Sequence, residues 1–235
     1  MEKTPLALRL GEFVAAVRFE DLPPAVVDKG KALVNHAVTV GLAGAHAERS
    51  QAARRAVLEH ERLGVRRVGA GQGATLWVDG SRVTRPGAAF ASAVAVAVNN
   101  QCDSYRMLTH PGVLIVPAGL ATAEGQGCAG RDLLTALVAG YEVQCRCARD
   151  FIPSTPAHGF RASPVYGILG CAARLAAHMP LRAACASAKS ASRAPTRWPS
   201  MRLPAKLAAS AMALPMPGAS SPSSFAVVAA QPRMP

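Results

Sequence analysis

The sequence predicts a mainly α-helical protein, a helical bundle with one short β-hairpin, followed by a poorly ordered tail. Three observations carry that prediction. Apolar residues recur at three- and four-residue intervals through most of residues 6–177, which is the period of one helix face. Only residues 74–84 alternate in the manner of strands. Beyond His178 neither period is sustained, and residues 179–235 hold 9 of the 18 prolines, 15 alanines, 9 serines and no acidic residue. Two domains are expected on this basis, a helical one over 1–178 and a tail over 179–235 that cannot build a core.

Leu6, Leu10, Phe13, Val14 and Val17 mark a first amphipathic helix, broken near Phe19-Glu20-Asp21-Leu22-Pro23. Pro24 suits the first turn of the next helix, where its missing N–H costs nothing. That helix is expected to run to Gly44, with Val27, Ala32, Val34, Val38 and Leu42 packing and Lys29 and Lys31 solvated. A third spans Ala47 to about Leu63. Ala74-Thr75-Leu76-Trp77-Val78 and Arg82-Val83-Thr84, around Asp79-Gly80-Ser81, read as a hairpin with an Asp-Gly turn. The preceding Gly69-Ala70-Gly71-Gln72-Gly73 looks like a phosphate loop, but it leads into a strand and lacks a following Gly-Lys-Ser/Thr. Further helices follow: Pro86 to Asn100, Val113 to about Gly125, Gly130 to Arg149 and Ser163 to Ala177.

Composition excludes several classes. Half of the 235 residues are hydrophobic, enough for a sizeable core, so the body is not disordered. Within residues 1–178 the longest uncharged runs, Pro86–Cys102 and Met107–Ala123, fall short of the roughly 20 strongly apolar residues of a membrane span. The first residues carry no signal-peptide pattern, so a cytoplasmic location and no membrane partner are expected. The net charge of +12 is unevenly spread, with +5 over residues 1–178 and +7 over 179–235. The body shows no nucleic-acid-binding signature, so no nucleic acid is expected as a partner. The six cysteines lack CxxC pairs or Cys/His clusters of ligand spacing. They read as reduced packing residues, and no metal is expected. Cys145 and Cys147, two apart on a helix, face different ways.

The chemistry concentrates in the polar stretch Asn99-Asn100-Gln101-Cys102-Asp103-Ser104-Tyr105-Arg106-Met107-Leu108-Thr109-His110-Pro111-Gly112, between two apolar helices. Polar, titratable side chains gathered in a loop on a rigid scaffold are the usual form of a site. A histidine titrating near about pH 6.5 can give or take a proton at neutrality. The structural alternative is that Asp103 and Ser104 cap the next turn and His110 only ties the loop. His36, His46, His60, His158 and His178 are scattered and read as structural or surface residues.

Asp103-Ser104, His110-Pro111-Gly112 and Pro117-Ala118 resemble the signature of the MmgE/PrpD (2-methylcitrate dehydratase) family, whose Asp-Thr precedes a His-Pro-Gly or His-Pro-Ser and a Pro-Ala helix. Phe13-Val14 through Leu22-Pro23, Gly130-Arg131-Asp132-Leu133-Leu134 through Ala139-Gly140-Tyr141-Glu142, and Gly159-Phe160-Arg161-Ala162-Ser163-Pro164-Val165-Tyr166-Gly167 are similar to other family segments. The resemblance covers residues 6–177.

It implies a lyase that works without a cofactor on a di- or tricarboxylate such as 2-methylcitrate, as a homodimer in propionate metabolism. His110 and Asp103 are then the catalytic candidates. Ser104, in place of the family Thr, Asn100 and Arg161 are the substrate-binding candidates. Two departures point to another substrate. Asn100 stands where members often carry Asp, and an amide cannot accept a proton; Arg161 stands where many have His, and a guanidinium can hold a carboxylate bidentately. A decarboxylase of the cis-aconitate type, or a non-catalytic helical remnant, is the alternative. The family's later lysine motif does not follow residue 178, so the tail is expected to be an out-of-frame or foreign continuation. The chain itself is expected to turn over little substrate. Reading the coding DNA in its other frames is the direct check.

Overall fold

The computed structural model describes residues 5–62, 73–106 and 109–178. The proposed tail, and most of the glycine-rich stretch before the hairpin, lie outside them. The expected fold class is observed: eight α-helices and one two-stranded antiparallel sheet among the described residues. The helices are α1 Leu6–Ala16, α2 Pro24–Ala43, α3 Glu48–Arg62, α4 Arg85–Ala97, α5 Pro111–Gln126, α6 Gly130–Ala148, α7 Ser154–Ala157 and α8 Ala162–His178. No described helix is long and apolar enough to cross a membrane.

Local chemistry sets most of the boundaries. Pro24 and Pro111 open α2 and α5 at positions where no N–H is needed. Thr84 caps α4 by accepting the Gly87 N–H, while its own N–H donates to Glu61 of α3 at 2.7 Å. The chain leaves α1 through a short 3-10 turn, Phe19–Asp21. The one-turn α7 was not anticipated.

Two of the expected details need correction. On α2 the buried residues are Val26, Gly30, Leu33, Ala37, Val40 and Gly41; Val27 and Val34 only flank the core, Ala32 is exposed and Leu42 is 53% exposed. Ala32 and Leu42 lie along the exposed stripe of Asp28, Lys31, Asn35 and Thr39, while the buried residues recur every three or four on the other side. The hairpin pairs only Ala74 with Val83 and Thr75 with Arg82, as β1 Ala74–Thr75 and β2 Arg82–Val83. Its connection spans residues 76–81, closed by Leu76 N–H to Ser81 O and Gly80 N–H to Leu76 O. It is not a tight two-residue turn, because Asp79 uses its carboxylate to bind the Ser81 N–H and hydroxyl.

The centre of the fold is α5, which touches α2, α4, α6, α8 and β1. Its buried residues lie all around it, Ile115, Val116, Pro117, Gly119, Ala121 and Ala123 among them. Leu33, Ile115, Val116, Leu137, Val138 and Tyr141 form the main core between α2, α5 and α6. Leu76, Val83, Ala88 and Ala91 form a second beneath the hairpin. Helices α6 and α8 pack backbone to backbone. A Cβ on Gly140 would lie 2.9 Å from both the Gly170 carbonyl and the Arg174 Cβ, so glycine at 140 is what permits the approach.

Arg174 of α8 is fully buried. Its guanidinium donates to the carbonyls of Ala118 and Gly119, just past Pro117 within α5. Burial lowers its pKa to about 10. This arginine therefore acts as a pin between two core helices.

Candidate functional site

The polar loop predicted from the sequence is the link between α4 and α5, and it folds back on the start of α5. Asn100 takes a left-handed conformation, φ +53°, which an Asn tolerates better than most residues. Farther along, Tyr105 and Thr109 pair across an antiparallel bridge, with N–H to O distances of 2.8 and 3.3 Å. Thr109 is wholly buried and its hydroxyl accepts from the Gln144 side chain of α6 at 3.1 Å.

Asp103 is the anchor. Its carboxylate accepts the Gly112 N–H at 2.9 and 3.1 Å and the Tyr141 hydroxyl of α6 at 2.8 Å. It thus caps the second residue of α5, where the partial positive charge of the helix favours an anion. The approach requires glycine at 112: a Cβ there would sit 2.6 Å from Asp103 Oδ1 and 2.7 Å from the Tyr141 hydroxyl. Burial raises the Asp103 pKa, although the Tyr141 and Gly112 bonds and the charges of His36 and His110 oppose the rise. Tyr141 is itself pushed well above its ordinary value, by burial and then by the Asp103 charge.

His110 is the half-buried N-cap residue of α5. Its Nδ1 lies 2.8 Å from the Asp103 backbone carbonyl. A carbonyl only accepts, so in this contact Nδ1 carries the hydrogen, and the neutral ring presents a lone pair at Nε2. The His110 backbone N–H donates to Ser163 Oγ, at the start of α8, at 2.9 Å. Asp103 and His110 therefore form one unit. The carboxylate of Asp103 holds the helix start and its carbonyl holds the imidazole.

The other expected site residues are placed differently. Ser104 follows Asp103 directly, and its Oγ is buried without a hydrogen-bond partner. Asn100 and Arg161 are exposed, and among the described residues neither has a hydrogen bond or ion pair to Asp103, Ser104 or His110. The structure also draws in residues the sequence did not single out. Tyr141 and Ser163 touch the unit directly, and the His36 charge of α2 acts on Asp103. Tyr141 and Ser163 do lie within the segments that resemble the family, and that was their only advance signal.

Chemically, the arrangement supplies a proton acceptor with one free ring nitrogen beside a buried, partnered carboxylate and an unpartnered hydroxyl. A family model described as the MmgE/PrpD N-terminal domain matches residues 8–192. No curated protein and no solved structure matches the chain.

Proposed function

The chain belongs to the MmgE/PrpD family, and from that premise we propose that the loop and α5 form one wall of a lyase site that removes water from a 2-methylcitrate-like di- or tricarboxylate. In such an elimination a base takes the proton from the carbon beside a carboxylate, and the freed electron pair becomes the new C=C bond. The C–O bond breaks as the hydroxyl takes a proton and leaves as water. His110 Nε2 is the group assigned to one of these proton transfers. The observation that carries the reading is the pinned His110 ring, with Nδ1–H committed to the Asp103 carbonyl and Nε2 left for substrate.

Asp103 then orients His110 and does not itself move a proton, since its carboxylate is buried and already engaged by two donors, the Gly112 N–H and the Tyr141 hydroxyl. Ser104 Oγ, unpartnered, is a donor for a substrate carboxylate. Arg161 and Asn100, both exposed, are assigned to the outer end of the substrate. Their identities favour a carboxylate other than 2-methylcitrate, as would suit a decarboxylase of the same family. The same membership supports action without a cofactor, as a cytoplasmic homodimer, in propionate metabolism.

The test is the ultraviolet absorbance of the conjugated double bond formed from 2-methylcitrate or citrate by the protein. Turnover above the buffer blank is expected. His110→Ala should lower it by roughly 10²-fold or more, the usual loss for a general acid or base. Equal turnover of the two would remove His110 from the mechanism.

A further inference from the structure

We propose that Ser163 is a positioning residue for His110, fixing the ring's tautomer and direction through the backbone. The hydrogen bond from the His110 N–H to Ser163 Oγ, 2.9 Å long, spans 53 residues and joins the first turn of α8 to the start of α5. His110 sits at the end of a loop, with φ −120° and ψ +83°, outside the regular helix. Its N–H therefore has no helical partner, and Ser163 supplies the acceptor. On the ring side Nδ1 bonds the Asp103 carbonyl, seven residues back along the same loop.

Two bonds thus hold His110, one on the backbone and one on the ring, and they act together. With the N–H fixed by Ser163, the Cα–Cβ direction is set so that Nδ1 meets the Asp103 carbonyl. Without that acceptor a half-buried N–H must find water, and the turn that brings the ring to Asp103 is no longer enforced. A free imidazole in water prefers its hydrogen on Nε2, the nitrogen that would have to be bare to accept a proton from substrate. Ser163 keeps the hydrogen on the other nitrogen.

The consequence for turnover rests on the reading of His110 given above, but the test does not. Nitrogen-15 spectra of the imidazoles, recorded on the whole chain above the pH of histidine protonation, show which ring nitrogen carries the hydrogen. The unsubstituted protein is expected to show His110 with hydrogen on Nδ1. In Ser163→Ala that signal should be lost in favour of Nε2–H, and Ser163→Thr should restore it. Alanine favours helix, so a general loss of α8 is not expected, and Ser163→Cys offers a second variant of similar size with a weak acceptor. An unchanged tautomer in the alanine and cysteine variants, or no restoration by threonine, overturns the proposal. If the tautomer changes while turnover by the protein does not, Ser163 keeps its role and His110 loses its own.

Discussion

The two ends of α5 each carry a carboxylate, and the two behave in opposite ways. At the N-terminal end Asp103 is buried, and burial raises its pKa against the pull of Tyr141 and Gly112. Near the C-terminal end Glu124 binds the Thr75 N–H at 2.8 Å and hydroxyl at 2.6 Å and pairs with Arg82. Desolvation, the largest single effect, raises Glu124, but the Thr75 bonds and the Arg82 charge together outweigh it and the net shift is downward. Asp103 is wholly desolvated and its hydrogen-bond donors are neutral, whereas Glu124 stays largely exposed and has the Arg82 cation beside it. The exposed end is organised to fasten a hairpin. The buried end holds a charge at a cost, as functional sites commonly do.

The comparison is broken most directly by Gly112→Ala. Its Cβ would overlap the Asp103 carboxylate and the Tyr141 hydroxyl, so either the cap is lost or the loop moves. A destabilisation of roughly 2–4 kcal/mol is expected in urea unfolding, combining overpacking with a lost cap. A cost below about 0.5 kcal/mol, within the range of surface changes, would show that the Asp103 cap is not a tight contact.

The next effect is one of sign. Because the folded-state pKa of Asp103 is raised, its contribution to stability is fully present below the unfolded-state value and is lost as pH rises through the folded one. Asp103→Asn removes that dependence, so relative to the parent it should gain stability as pH rises above the ordinary carboxylate value. Glu124→Gln should do the reverse. With its folded pKa lowered, Glu124 adds stability above its unfolded value that disappears as pH falls through the folded one. The glutamine variant should therefore cost about 0.5–1 kcal/mol at pH 7, discounted for exposure, and less in acid. Urea midpoints of both variants at several pH values decide the matter, and slopes of the same sign would dissolve the contrast.

The smallest effect should come from Arg131→Ala. That side chain meets Glu20 at 2.9 Å and lies over the Phe19 ring at 4.5 Å, but it and its acidic partner are more than 60% exposed. A change within about 0.5 kcal/mol is expected, as for most exposed pairs. A larger loss would mean that the 3-10 turn contributes more to the fold than its exposure implies.

Much of the secondary structure was legible because the local signals are strong. Pro24 and Pro111 start helices, and Thr84 caps one. The polar loop stood out between two apolar helices, and His110 and Asp103 proved to be joined within it. On α2 the apolar character of Ala32 and Leu42 misled, since both lie along the exposed stripe of Asp28, Lys31, Asn35 and Thr39, and the spacing of Val26, Gly30, Leu33, Ala37 and Val40 marks the buried face instead. The length of the hairpin connection depended on side-chain bonds of Asp79 that no alternation pattern displays.

The sequence by itself determined the helical class, the order of the elements, the position of the hairpin and the loop that carries the candidate chemistry. Each of these follows from periodicity and from proline, glycine and capping residues acting over a few neighbours. Only the tertiary structure decided that the Asp103 carboxylate caps α5 while its carbonyl holds His110, and that Tyr141 and Ser163 complete the unit. It also separated Asn100 and Arg161 from that unit and buried Arg174 against α5. The physical reason is distance along the chain. Tyr141 meets Asp103 across 38 residues and Ser163 meets His110 across 53, and such contacts are fixed by how α5, α6 and α8 pack, which local residue preferences do not encode.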